Sequence, residues 1–321
     1  MAVYTKIDTV EMKDFISKYD IGKLTYFKGI KEGISNTNYL VETEQDKFIL
    51  TVFESRTVPE QIPFFMDLLT HLYDYGINCP TPIKDKKANI IQSVQGKSAC
   101  LSKFLYGKSV MSPNFVNCKG LGRAMAKLHE AGKNFEQTRE NMMGMNHLRP
   151  LYDKFKANLD DIRPRLHDEI EECLEIVETK WPKQDELPYG IIHADLFPDN
   201  VFFLDNKLSG LIDFFFSCND FFAYDLAVCI NAWCFEKDFD FNVTKVKNLV
   251  AGYNSIRPLT KEELHYLPMF CMGSALRFFM TRCFDMLNHN SEDFVIPKDP
   301  IEYLRKIRFH KNIKSYVEYG I

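Results

Sequence analysis

A chain of 321 residues exceeds the usual single-domain size, so one large domain or two lobes is the starting expectation. Apolar residues at 45% and charged residues at 26% are ordinary globular values that exclude disorder, and 27 phenylalanines make the interior ring-rich. The formal net charge of −4 provides no global positive field to collect nucleic acid or an anionic membrane, so any anion has to be held locally.

Nine cysteines without a CxxC pair argue for free thiols in a reducing compartment and against a disulfide framework or a zinc ribbon. The opening MAVYTKIDTVEMKDF has early acids and no apolar h-region, so it is not read as a secretory signal. The most apolar stretch, Leu211 to Phe235, is interrupted by Asp213, Asp220 and Asp225, which argues against a transmembrane helix. A cytoplasmic protein is the expectation.

In chain order, Asp8 to Tyr19 reads as a short amphipathic helix capped by Asp8, with Val10, Phe15 and Ile16 on the apolar side. Three strands follow, Leu24 to Ile30, Thr37 to Val41 and Phe48 to Phe53, joined by the polar turns KEGISN and ETEQDK. Glu60 to Tyr75 has helical periodicity and stops at Gly76. Two more strands are expected at Asn89 to Val94 and Ala99 to Phe104. Tyr106, Gly107 and Lys108 sit where a hinge would fall. From Asn114 the chain turns to long helical segments, for example Leu121, Ala124, Met125 and Leu128 at i, i+3, i+4, i+7.

The strongest feature is Gly190-Ile-Ile-His193-Ala-Asp195-Leu-Phe-Pro-Asp199-Asn200, followed by Leu211-Ile-Asp213, which has the form HxDxxxxN and then ID. A strand at Ile191 and Ile192 delivers an acidic loop, and Asn200 opens a second strand. That strand turns at Asp205-Asn206 and returns through Leu208 to Ile212. Such a hairpin brings Asn200 and Asp213 to the same end, where an amide oxygen and a carboxylate make a hard oxygen site suited to Mg²⁺ holding ATP phosphates. Asp195, five residues earlier on the loop, can face a hydroxyl nucleophile as the catalytic base. His193 has no part in such a chemical step and is read as structural support, hydrogen-bonding the loop of Asp195 or Asp213. Asp199 has no clear chemical role.

The HxDxxxxN plus ID pattern resembles the aminoglycoside phosphotransferase and choline kinase superfamily. Three further stretches resemble its bacterial homoserine kinase branch: GISNTNYLV at 33–41, FILTVFE at 48–54, and CNDFFAYDLAVCINAWCFE at 218–236. The resemblance covers nearly the whole chain. It implies an α+β, protein-kinase-like bilobal fold: a small five-stranded antiparallel β lobe with one helix (residues 1–105, ATP-binding), and a larger, mainly helical lobe (residues 106–321, catalysis and substrate). It also implies that the reactants are ATP and L-homoserine and the product O-phosphohomoserine, a step toward threonine.

The turn Gly33 to Asn38 lies where kinases cover the phosphates, which makes Gly33, Ser35 and Asn36 candidate nucleotide contacts and Asn38 a candidate substrate contact. Thr51 stands where kinases place a phosphate-binding lysine on the third strand; Lys103 and Lys28 are conceivable substitutes. Homoserine carries a carboxylate and an ammonium. Arg277 is the candidate carboxylate clamp, because Arg282 has Asp285 beside it as an ordinary helix ion pair. Asp225 is a candidate for the ammonium or a brace for the catalytic loop, and shares a helix face with Glu236 if that helix is continuous. Trp233 and His129 read as interior residues and Lys298 to Lys314 as a solvated basic segment. Two alternatives stay open: a kinase of another small hydroxylated metabolite (an amino alcohol, choline or an aminoglycoside), and a catalytically silent nucleotide-binding module.

Overall fold

The alternation between Leu24 and Phe104 becomes a five-stranded antiparallel sheet in the computed structural model of the chain, which describes residues 3–31, 36–54, 57–289 and 297–321. The strands are β1 (Leu24–Ile30), β2 (Thr37–Thr43), β3 (Lys47–Val52), β4 (Ile91–Val94) and β5 (Lys97–Lys103), in the order β1-β2-β3-β5-β4. The last hairpin begins earlier than its apolar run suggests. Gln95 (φ 50°) and Gly96 (φ 79°) form a two-residue left-handed turn, so Val94 pairs with Lys97.

Helix α1 (Thr9–Ser17) starts at Asp8, whose carboxylate accepts from the Val10 and Glu11 amides while Glu11 reaches back to the Asp8 amide. Its buried stripe is Met12, Phe15 and Ile16; Val10, two residues before the stripe, is 76% exposed. The stripe packs on one sheet face through Tyr39, Val41, Phe48, Leu50, Val52, Ala99 and Leu101. Helix α2 (Ile62–Asp74) ends at Gly76 (φ 82°), a left-handed stop that a side chain would strain. These elements belong to one compact unit, Met1–Tyr106; Gly107–Ile321 form a second.

The second unit contains α3 (Phe115–Gly132), α4 (Met145–Asp153), α5 (Leu159–Ile162) and α6 (Leu166–Lys180), then the ribbon strands β6 (Tyr189–Ile192), β7 (Val201–Leu204), β8 (Lys207–Leu211) and β9 (Cys218–Phe221). Helices α7 (Phe222–Trp233), α8 (Val243–Asn254), α9 (Lys261–Leu287) and α10 (Ile301–Asn312) complete it. Every residue of α7 except Ala232 is buried, the polar Asp225 and Asn231 included, so this helix runs inside the unit. It stops at Trp233, and Glu236 lies beyond it, paired with Lys245 at 2.7 Å. Asp225 and Glu236 therefore do not share a helix face.

All nine cysteines are buried free thiols. Among the described residues no helix is long and apolar enough to cross a membrane.

Helices α3 and α8 touch backbone to backbone. A Cβ added to Gly122 would sit 2.0 Å from the Leu249 carbonyl oxygen, and one on Gly252 would sit 2.2 Å from the Lys119 carbonyl oxygen. Gly122→Ala is expected to lower stability by about 1–3 kcal/mol. Thermal unfolding checks this; a variant that melts with the wild type would show that the two helices can separate without loss.

Candidate active site

The catalytic-loop motif begins where β6 ends. Ile192 pairs with Cys218 of β9, and the chain then turns through Ala194 at φ 63°, a left-handed conformation that disfavours any residue with a Cβ. This turn is pinned from two sides. Asp225 of α7 accepts the Ala194 amide on Oδ1 at 2.8 Å and the His193 amide on Oδ2 at 3.0 Å; Arg277 of α9 donates Nη1 to the Ala194 carbonyl at 2.6 Å. Trp233 adds a third hold by donating its indole N–H to the Leu196 carbonyl at 2.7 Å.

These contacts bear on three residues singled out in the sequence. Asp225 is completely buried, with both oxygens engaged by the loop and by His129 Nε2 at 3.0 Å, so it braces the loop and offers nothing to a substrate ammonium. Arg277 is only 2% exposed and tied to Ala194, so it is no open carboxylate clamp. Arg282 pairs with Glu302 at 2.7 Å and also donates to the Asp299 carbonyl, an arrangement reaching across to α10 instead of along its own helix.

His193 takes the supporting position that the sequence suggests. Its Nε2 lies 3.0 Å from the Ile212 carbonyl, which can only accept, so Nε2 carries the proton. Burial pushes its pKa down to about 4, keeping the ring neutral. It thus links the loop of Asp195 to the residue preceding Asp213.

The β7–β8 hairpin turns at Asp205 (φ 49°) and Asn206 (φ 61°), and Ile212 donates its amide to the Asn200 carbonyl at 3.0 Å. Asn200 and Asp213 are consequently brought to one end. The Asn200 amide nitrogen donates to the Asp195 carbonyl at 2.8 Å and to Asp195 Oδ2 at 3.2 Å. Both partners are acceptors, so the amide must present its nitrogen to them and turn Oδ1 the other way. Asp213 sits at φ 62° and is accessible at its side chain, with protein around it.

The enclosing protein, together with neighbouring carboxylates, raises the acids here. Burial and the charge of Asp199 push Asp195 up to about 6, against the pull of Arg277 and Lys298; burial and the charges of Asp195 and Asp199 push Asp213 up to about 6. Excess negative charge and an outward amide oxygen fit a hard divalent cation. Among the described residues no group of three His, Cys, Asp or Glu side chains could hold a metal on its own.

In the first unit, Gly33 and Ser35 lie outside the described residues. Asn36 is buried, and its Oδ1 accepts from the Glu54 amide at 3.1 Å and the Thr57 hydroxyl at 3.0 Å, so that oxygen braces the strand ends. The Thr51 hydroxyl donates to Asn38 Oδ1 at 2.8 Å, a neutral pair directly across β2 and β3. Antiparallel partners share a face, so Lys28, Leu40 and Ile49 stand on the same side as this pair, whereas Lys103, opposite Phe48, stands on the other. The Lys103 ammonium lies 4.9 Å from the Tyr73 ring. Of the two lysines considered as replacements, only Lys28 shares the Thr51 face.

Some contributors carried no readable signal. Glu54 accepts from the Thr5 and Thr37 hydroxyls at 2.7 Å each and pairs with Lys97, joining segments far apart in sequence. Lys298, assigned to a solvated segment, has its ammonium 5.7 Å from the ring of Phe197, two residues after Asp195. A buried tryptophan nitrogen needs an acceptor, which was the available hint for Trp233.

A braced left-handed turn, an acid beside it and an outward Asn oxygen at a hairpin end are the parts that phosphoryl transfer calls for. The chain belongs to the phosphotransferase enzyme family, whose sequence pattern matches residues 27–259. Within that class, it is 46% identical over 321 residues to the homoserine kinase of Parvibaculum lavamentivorans, covering 100% of this chain and 99% of that protein. The fold is shared more widely. A spectinomycin phosphotransferase solved with ADP and spectinomycin superimposes with a TM-score of 0.69 at 14% identity, covering 98% of each chain. An amicoumacin kinase in complex with AMP-PNP and Ca²⁺ gives 0.67 at 16% identity, covering 96% of this chain and 93% of that one.

The raised Asp213 carboxyl has a consequence for stability. Its folded pKa lies above the unfolded value, so the folded state binds more protons and stability falls as pH rises from about 4 through about 6. Asp213→Asn is expected to melt higher than wild type at pH 8 without added metal, by about 1–2 °C because solvent reaches the carboxyl and screens the repulsion, with the gap closing toward pH 4. Thermal melts of both proteins across that range check the sign; an Asn variant that melts lower at pH 8 would refute the repulsion.

Proposed function

We infer that this protein transfers the γ-phosphoryl group of ATP to the side-chain hydroxyl of L-homoserine, giving O-phospho-L-homoserine and ADP. The full-length similarity to a homoserine kinase supports the acceptor. The observation that carries the chemistry is the Asn200 amide bonded to Asp195.

Asp195 is the base. Asn200 occupies Oδ2, leaving Oδ1 to receive the hydroxyl proton as the acceptor oxygen bonds to phosphorus and the bond from phosphorus to the β-phosphate oxygen breaks. A carboxyl with a pKa near 6 is a better proton acceptor than an ordinary aspartate, and its loop is held before the reaction begins. Asn200 Oδ1 and Asp213 would hold Mg²⁺, which when bound would neutralise phosphate charge. In the first unit, the sheet face of Leu40, Ile49 and the Thr51–Asn38 pair takes the nucleotide. Threonine supply follows as the metabolic use of the product.

Lys298 is the candidate partner for the homoserine carboxylate, since it is an exposed cation beside the Phe197 ring of the catalytic loop. Its role distinguishes homoserine from a purely cationic acceptor such as choline or an aminoglycoside.

ADP release from the purified protein with ATP, Mg²⁺ and homoserine, threonine, choline or an aminoglycoside tests the reaction; no release with homoserine sinks it. Asp195→Asn is expected to lower kcat by at least about 100-fold. Lys298→Ala is expected to raise the KM for homoserine by about ten-fold and leave that for ATP within two-fold. Equal change in both KM values would remove Lys298 from the acceptor site.

A further inference from the structure

A chain of buried polar groups runs from the far side of the second unit to the catalytic loop. Glu263, fully buried near the start of α9, lies 2.9 Å from Arg257 Nη1. Arg257 Nη1 donates to the Tyr253 hydroxyl at 3.0 Å, and that hydroxyl lies 2.7 Å from His129 Nδ1. His129 Nε2 lies 3.0 Å from Asp225 Oδ2, and Asp225 accepts the His193 and Ala194 amides. His129 and Arg257 also flank one ring, with the Phe222 centroid 4.6 Å from the imidazole and 4.7 Å from the guanidinium carbon.

Donor and acceptor chemistry fixes the direction of this chain. The guanidinium can only donate, so the Tyr253 oxygen accepts from it and its own proton is free to go to His129 Nδ1. With Nδ1 accepting, the proton of a neutral imidazole is on Nε2, where it faces Asp225. Burial favours that neutral ring, lowering the His129 pKa in spite of Asp225. Burial alone would raise Asp225, but the hydrogen bonds from His129 and the loop amides hold it ionised. The three bonds from Arg257 through Tyr253 and His129 therefore all point toward Asp225, which also accepts the loop amides, so a cation three bonds away stands behind the carboxylate that holds Ala194.

We propose that Arg257 and Tyr253 are positioning residues for phosphoryl transfer, fixing the His129 tautomer so that Asp225 keeps Ala194 left-handed and Asp195 in register. This rests on the reaction proposed above. Helix proximity gives the network its geometry, because the Gly122 and Gly252 crossing brings the α3 residue His129 against the α8 residue Tyr253.

The test uses Tyr253→Phe, Arg257→Gln and Arg257→Lys in the full chain. Expected for Tyr253→Phe and Arg257→Gln is a kcat about ten-fold lower with the KM for ATP and for homoserine within two-fold of wild type, the effect of leaving a buried donor or acceptor unpaired. Arg257→Lys, which restores a cationic donor, is expected to recover at least half of the lost rate. Nitrogen-15 NMR of histidine-labelled protein, with the His129 signals assigned through His129→Gln, is expected to report an Nε2–H ring in wild type and a tautomer mixture in Tyr253→Phe. Wild-type turnover tests the proposed reaction separately, and the NMR measurement requires no turnover. A folded Tyr253→Phe with wild-type kcat, or with unchanged His129 shifts, overturns the proposal. If Tyr253→Phe does not fold, the comparison of Arg257→Gln with Arg257→Lys decides, and equal rates in those two overturn it.

Discussion

One buried carboxylate organises the second unit. Asp225 accepts two consecutive backbone amides from the catalytic loop, and those bonds stabilise a left-handed alanine that the chain would otherwise avoid. An ionised group inside the apolar helix α7 is tolerable only because every lone pair that matters meets a donor. The direction of Asp195, the reach of Asn200 toward it and the anchoring of His193 on Ile212 all depend on that turn. Arg277 and Trp233 reinforce it through the carbonyls on either side of Asp195, so the loop is held at its amides by one helix and at its carbonyls by two.

Around this rigid turn the acids are not relaxed. Asp195 and Asp213 stand close enough to Asp199, and to each other electrostatically, that burial and repulsion keep both carboxyls raised. The repulsion that costs stability as pH rises through about 6 is one that any cation bound at the hairpin end would relieve.

Much of the site was legible because it is local. Asp205-Asn206 announces a tight hairpin, and hairpin geometry by itself brings Asn200 and Asp213 together; the cap at Asp8 and the stop at Gly76 are similarly short-range signals. What failed to show in the sequence depends on distant partners. Nothing near Asp225 says that it will meet amides more than thirty positions away, so a substrate role for it could not be dismissed from sequence. Arg277 looked free because no acid stands three or four residues beyond it in the helix, yet its partner is the Ala194 carbonyl, supplied by another element. Whether the helix carrying Asp225 reaches Glu236 stayed open in the sequence because hydrophobicity continues past Trp233, whereas the chain turns there. Thr51 was correctly read as an unusual occupant of the third strand, but its neutral partner Asn38 appears only once the register of β2 and β3 is known.

The burial of all nine cysteines has a practical side. A thiol-reactive dye offered to the native protein finds no exposed sulfur, so one cysteine introduced on the surface can be labelled without first removing the natural ones. The natural thiols then serve as silent reporters. They become reactive together when the chain opens, and the rate of their labelling in mild denaturant reads how often each unit opens as a whole.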